Sequence, residues 1–234
     1  LKIPTSKVRR LNIVRRSVDA RKKPDVRIVY TVVVAVDGNE NKILKQSGCK
    51  RAAIAKGVYY KPVKSAPIPA QRPVVVGFGP AGMFAALALA IAGLKPIVLE
   101  RGEDAQSRHE KVKRFFETGE LDPRSNVQFG EGGAGTFSDG KLTTRINDPR
   151  CDFIIEELQK HGAPEEILSK SKPHIGTDML REVVKNIREE IISLGGEVNF
   201  NSRLDGVYFE DNKLIKISIN GKKQKCEYLC LCIG

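Results

Sequence analysis

The chain has 234 residues, of which 41% are hydrophobic and 29% charged, with a formal net charge of +12. That supplies a core and excludes a disordered tail or a membrane-embedded bundle, so a globular protein of one or two domains is expected. Five cysteines, an odd number without CxxC spacing, argue against a disulfide framework and fit a reducing, cytoplasmic location.

The charge sits at one end. Residues 1–66 carry 17 Lys and Arg against four acids, a net of +13, and the rest of the chain is near neutral at −1. Such a step predicts two domains with different partners. Residues 1–66 read as a small basic α+β module. Within it Thr5 or Ser6 caps a short basic helix through Leu11, 26–36 is a β-branched strand closed by an Asp37-Gly38 turn, and Ser47 caps a second helix to Ala55. Residues 67–72 are a Pro-rich linker, part of a stretch over 64–73 with three prolines. No secretory signal pattern opens the chain, and the leading residue, Leu1, suggests a start inside a longer protein.

Residues 73–234 read as the second domain. A short apolar strand over 74–76 runs into Gly77, and a helix follows from Pro80 to Gly93. The run 74–94 holds 21 residues without a charge, yet its four glycines and Pro80 fit strand, turn and helix, and no membrane span is expected. A second strand over 97–99 ends at Glu100, a helix covers 107–118, and 126–141 is a glycine-rich loop. Helices are predicted near 149–161 and 177–194. In the second, Leu180, Val183, Val184, Ile187 and Ile191 recur at helical spacing behind a Thr177-Asp178 cap. Strands are predicted over 197–201, 204–209, 214–219 and 226–233.

The chemistry concentrates at Gly77-Phe78-Gly79-Pro80-Ala81-Gly82, a GxGxxG between strand and helix, with an acid, Glu100, closing the next strand. The first glycine of such a turn permits the bend, the second lets a diphosphate reach the backbone, and the third lets helix and strand pack closely. The helix N-terminus offers N–H groups and its positive dipole end to phosphates. An acid about 20 residues on is placed to bond a ribose diol, and its charge disfavours a 2′-phosphate. FAD or NAD is therefore expected here ahead of NADP.

Three segments carry a resemblance to a known group. They are 72–82, Val98-Leu-Glu-Arg-Gly102, and Asn126-Val-Gln-Phe-Gly-Glu-Gly-Gly-Ala-Gly-Thr-Phe-Ser-Asp-Gly-Lys-Leu142. Together they resemble glutathione-reductase-like flavoproteins and, within these, bacterial FAD-dependent (NAD/FAD-utilising) dehydrogenases. The resemblance extends to Ser17-Val-Asp-Ala-Arg-Lys22 in the basic module. It implies an α/β fold: a Rossmann-like FAD-binding βαβ core, incomplete at the C-terminus, preceded by a small basic α+β domain. It also implies that Gly77, Gly79, Pro80, Ala81 and Gly82 hold the FAD diphosphate and that Glu100 and Arg101 hold the adenosine side. Gly132, Gly133, Ala134, Gly135 and Thr136 would face the diphosphate and flavin edge, with Ser138, Asp139 and Lys141 nearby, and Val198 would touch adenine through its backbone. The implied activity is a FAD-dependent oxidoreductase acting on a small molecule, with NAD(P)H as the candidate electron donor. A later ribitol-binding motif and a substrate domain would lie beyond Gly234.

Other residues read more simply. Cys230 and Cys232 are expected as small buried thiols on one strand face, and His109, His161 and His174 as surface or capping residues without metal-ligand spacing. Two alternatives stay open. The basic module, with Arg and Lys clustered over 7–23 and Tyr59-Tyr60 available for stacking, fits a nucleic-acid-associated flavoprotein that binds RNA. A NAD-binding Rossmann protein without flavin also fits the fingerprint.

Overall fold

The computed structural model describes residues 1–234 apart from Lys56, Val58, Tyr59, Asp139, Thr143, Arg145, Asn147, Ser171, Lys172 and Gly234. Of the residues singled out above, Tyr59, Asp139 and Gly234 lie outside the described residues. Two compact units emerge: Leu1–Tyr60 with Leu142–Glu156 and Pro164–Pro173, and Lys61–Lys141 with Glu157–Ala163 and His174–Gly234.

The first unit is built on a long antiparallel hairpin, β1 (Val8–Lys22) with β2 (Asp25–Val36). The basic helix expected over 5–11 is not formed. A single 3-10 turn at Thr5–Lys7 runs straight into β1. The reason is tertiary: β2 is a strong β-branched strand, and Val8, Ile13, Val14 and Val18 suit pairing with it. Leu11 stands opposite Val34 and Ile13 opposite Val32, whereas an isolated helix of two turns would be marginal. Helix α1 (Glu40–Ser47) corrects a second expectation, because Ser47 ends a helix instead of starting one. Asn39 caps it by accepting the Lys42 N–H at 3.0 Å, and Gly48 stops it in the left-handed region at φ 61°. The Ser47 hydroxyl turns back to donate to the Leu44 carbonyl at 2.8 Å.

The second unit is a parallel α/β layer structure. Its sheet has the order β5 (Glu197–Asn199), β4 (Ile97–Leu99), β3 (Val74–Val76), β9 (Leu229–Leu231), all parallel. Helix α2 (Pro80–Ile91) connects β3 to β4, with Gly93 past its end at φ 80°. Helix α3 (Ala105–Thr118) follows β4; its Asp104 side chain accepts the Gln106 and Ser107 N–H groups, which starts the helix two residues before 107. Helix α4 (Pro149–Lys160) draws on both units, and α5 (Thr177–Ser193) leads into β5. The Thr177-Asp178 cap expected for α5 is replaced by Gly176, with no side-chain cap.

Strand alternation divides the core. Val75 and Val98 are fully buried, as are Phe78 and Leu87 and the α5 residues Val183, Ile187 and Ile191. Each such side chain stabilises the fold by about 1.5–3 kcal/mol. Val74, Val76 and Leu99 form a second cluster with Ile217 and Cys226. Ile217 comes from an antiparallel meander of β6 (Leu204–Glu210), β7 (Lys213–Ile219) and β8 (Lys222–Lys225), and Cys226 directly follows it. Strand β8 had no signal in the sequence, since all four of its residues are polar and exposed. The stretch expected as one strand over 226–233 contributes only β9. Among the described residues no helix is long and apolar enough to cross a membrane, and the uncharged run 74–94 divides into β3, turn and α2.

Candidate functional site

The chain leaves β3 through Gly77, at φ 93°, whose N–H donates to the Leu99 carbonyl at 2.8 Å. Only glycine adopts this conformation without strain. Gly82 is required for a different reason. A Cβ there would stand 2.9 Å from the Gly77 carbonyl carbon, press into its oxygen and meet Cys232 Cβ at 3.3 Å. These two glycines close the strand–helix turn.

Gly79 is different. Its φ is −73°, open to any residue, and a Cβ would meet only Gly133 Cα at an ordinary 3.8 Å. Gly135 also lies outside the left-handed region, and a Cβ there would meet nothing within 4 Å. The protein's own packing requires glycine at neither position. Gly79 is the N-cap of α2, with Pro80 in the first turn and no side-chain cap; Pro80 and Ala81 are exposed. The arrangement is a bare backbone surface with uncovered N–H groups at a helix start, suited to an anion that needs close approach.

The second glycine loop is docked on the first. The Gly132 N–H donates to the Phe78 carbonyl at 2.8 Å, and a Cβ on Gly133 would lie 3.2 Å from both Gly79 Cα and Pro80 Cδ. Gly130, Gly132 and Gly133 all have positive φ, at 119°, 80° and 61°. Glu100 ties the first loop to the end of β4. Its carboxylate is buried and accepts the Phe78 N–H at 2.8 Å and the Gly102 N–H at 2.7 Å. Each oxygen retains a second lone pair for an outside donor. Arg101 lays its guanidinium over the Phe129 ring, 3.7 Å from the centroid.

The structure thus gathers Gly77, Gly79, Pro80, Gly82, Glu100, Gly132 and Gly133 around one turn, with the half-buried Gly135 and buried Thr136 in the same 3-10 turn, Gly133–Phe137, and Ala134 exposed there. Ser138 donates its hydroxyl to the Gly135 carbonyl at 2.9 Å. Lys141 and Val198 are placed otherwise: Lys141 forms an isolated bridge with His174, and Val198 sits within the sheet opposite Val98. His161, expected as a surface or capping residue, is buried and caps the end of α4, its Nδ1 2.7 Å from the Glu157 carbonyl oxygen. One minor expectation is corrected. Cys230 is exposed, its Sγ 3.5 Å from that of Cys232, because β9 is an edge strand.

The sequence reading missed the residue at the centre. Arg108 of α3 is fully buried, and its guanidinium donates to the carbonyls of Asn126 (2.7 Å), Val127 (2.8 Å), Glu131 (2.7 Å) and Gly133 (2.8 Å) and to Thr136 Oγ1 (2.9 Å). Burial pushes it down to about 10, opposed by the charges of Glu100 and Glu131, so it remains a cation at neutral pH. Glu131 is fully buried, accepts the Ala105 N–H at 2.7 Å and pairs with Arg188 at 2.9 Å; burial still pushes its carboxyl up. Nothing local in the sequence marks Arg108, whose acceptors stand 18 to 28 residues away.

Residues 1–35 match a family described as Domain of unknown function (DUF8436). An uncharacterized protein of Clostridium beijerinckii is 54% identical over 228 residues, which cover 97% of this chain and 43% of the relative. The chain therefore spans less than half the length of that relative. Among solved structures, the Diels-Alderase PyrE3 is similar at 17% identity and TM-score 0.41, over 70% of this chain and 32% of its own. Thioredoxin reductase of Lactococcus lactis is similar at 16% and TM-score 0.36, over 68% of this chain and 34% of its own. Bacillithiol disulfide reductase Bdr of Staphylococcus aureus is similar at 17% and TM-score 0.37, over 70% and 38%.

Proposed function

We propose that this chain is the dinucleotide-binding part of a FAD-dependent oxidoreductase. The observation that carries the reading is Gly79, a glycine that the fold itself does not need, at the N-cap of a helix with no side-chain cap, faced by Gly133 of a second glycine loop whose Gly135 is equally dispensable to the packing. A diphosphate bound there explains the bare glycine and the missing cap. It needs the backbone at Gly79 bare, and it supplies the anion that the α2 N-terminus attracts. The residues present fit FAD. Gly77, Gly79, Pro80, Ala81 and Gly82 would form the diphosphate cradle, with Gly132, Gly133, Ala134, Gly135 and Thr136 as its second wall.

Glu100 would take the ribose hydroxyls on its free lone pairs while Phe78 and Gly102 hold the carboxylate in place. Its charge excludes a 2′-phosphate. Arg101, fixed by Phe129, would border the adenosine side, and Ser138, Lys141 and Val198 would lie further out. When bound, FAD supplies the electron-transfer chemistry, with NAD(P)H proposed as donor. The chain's own contribution is to bind the cofactor, to orient it through two backbone loops and to keep water from the diphosphate. The proposed setting is a reducing cytoplasm, in keeping with five free cysteines. Equilibrium dialysis of the intact protein against FAD, NAD and NADP tests the reading. FAD should be retained most tightly and NADP least; retention of NAD alone would leave a Rossmann protein without flavin.

A further inference from the structure

We propose that Arg108 is the positioning residue of this site: it holds the second glycine loop against Gly79 from within, and so sets how firmly a dinucleotide diphosphate is gripped without touching it. The loop cannot hold itself. Gly130, Gly132 and Gly133 occupy left-handed backbone and offer no side chains for packing, so the segment would sample many conformations if it relied on its own contacts. Arg108 supplies the missing interior. Its planar fork reaches four carbonyls and one hydroxyl between Asn126 and Thr136, and Thr136 Oγ1 in turn donates to the Gly133 carbonyl at 3.0 Å. Lysine, with three donors on one nitrogen, cannot span acceptors spread that widely.

Two details indicate that the loop is shaped around this side chain. A Cβ on Gly130 would lie 2.5 Å from Arg108 Cδ and 3.1 Å from its Nε, so glycine there makes the room the arginine occupies. Glu131, the acid nearest in sequence to these contacts, gives its carboxylate to Ala105 and Arg188, leaving the Arg108 donors to the backbone. Arg108 lies one helical turn past the Asp104 cap, so its hydrogen bonds tie the start of α3 to the second loop, and a displacement of α3 changes the spacing between Gly133 and Gly79.

The test uses the intact protein with R108K, R108A and T136V, read by amide hydrogen exchange without ligand and by FAD titration. The grip on FAD rests on the function proposed above; the hold on the loop does not. With R108K, exchange at the Gly132 and Gly133 amides should accelerate about 10- to 100-fold while β3 and β4 keep their protection, and FAD should bind about 10- to 100-fold more weakly. T136V, which removes one acceptor, should shift both in the same direction by about 3- to 10-fold, and it decides the matter if R108A fails to fold. Millimolar ethylguanidinium should recover part of the loss in R108A. Parent-like loop protection and FAD affinity in R108K, or a loss of protection spread equally over β3 and β4 in T136V, would overturn the proposal. If the parent takes up no FAD while R108K still frees the loop, the dinucleotide reading fails and the hold of Arg108 on the loop stands.

Discussion

The fingerprint reserves Gly79 for the approach of a diphosphate and Gly82 for helix–strand packing, and one methyl group at each separates binding from folding. In G82A the new Cβ would press into the Gly77 carbonyl, 2.9 Å from its carbon, against about 3.5–4.0 Å for an unstrained contact. The obstruction is backbone on the other side of a tight turn, so the start of α2 must move away from β3. Overpacking of this kind costs about 1–3 kcal/mol and more where no side chain can yield. A loss near 3 kcal/mol lowers the melting temperature by about 6–12 °C in a chain of this size.

In G79A the Cβ meets only Gly133 Cα at 3.8 Å, and φ is −73°. Alanine is a poorer N-cap than glycine but restricts the unfolded chain, and the two effects offset to within about 1 kcal/mol. The diphosphate, however, would be pushed off the helix start and lose two charge-assisted hydrogen bonds of about 1.5–3 kcal/mol each. At 1.4 kcal/mol per factor of ten that weakens FAD by about 100-fold or more. Thermal melts and FAD titrations on both variants check the pair. Undiminished FAD affinity in G79A would refute the reasoning, as would G82A melting with the parent.

Glu100 and Glu131 give further tests. E100Q keeps one acceptor oxygen where two buried N–H groups need partners, so it should cost about 1–3 kcal/mol in denaturant unfolding even without ligand. Glu131 has a folded pKa raised above its ordinary 4.5, so the native state holds the proton longer than the unfolded chain. Stability from this group is complete below 4.5 and declines as pH rises through the raised value; E131Q should flatten that slope in a pH series of melts, and an unchanged slope would count against it. In the first unit, Arg15 and Arg16 are exposed on the hairpin and take part in no ion pair among the described residues. If RNA is a partner, the intact protein should bind it with affinity that falls steeply with salt and less steeply in R15E/R16E, whereas no retention at low salt would dismiss that partner.

The legible parts of the molecule were those where one residue type has one physical use. The apolar runs of β3 and β4 and the Ala- and Leu-rich α2 between Pro80 and Gly93 could be read directly from spacing and end residues, and the buried stripe of α5 from spacing alone. The hairpin strand β1 could not, because its arginines mask a strand pattern that only its partner β2 makes decisive. Strand β8 carries no apolar signal at all and exists by pairing with β7. At the site, the separate tasks of Gly77, Gly79 and Gly82 were legible from the motif, whereas the docking of Gly133 against Gly79 requires coordinates. Arg108 was hidden for the same reason: a helical arginine reads as solvated surface until the loop that surrounds it is seen.

The proposed ligand of the two glycine loops is a flavin dinucleotide. The most direct measurement is the visible absorbance of the intact protein after exposure to excess FAD and exhaustive dialysis, with FMN, which lacks the adenosine half, run in parallel. Retained flavin bands with FAD and none with FMN are the expected result. Colourless protein in both cases, or equal retention of FMN, would contradict it.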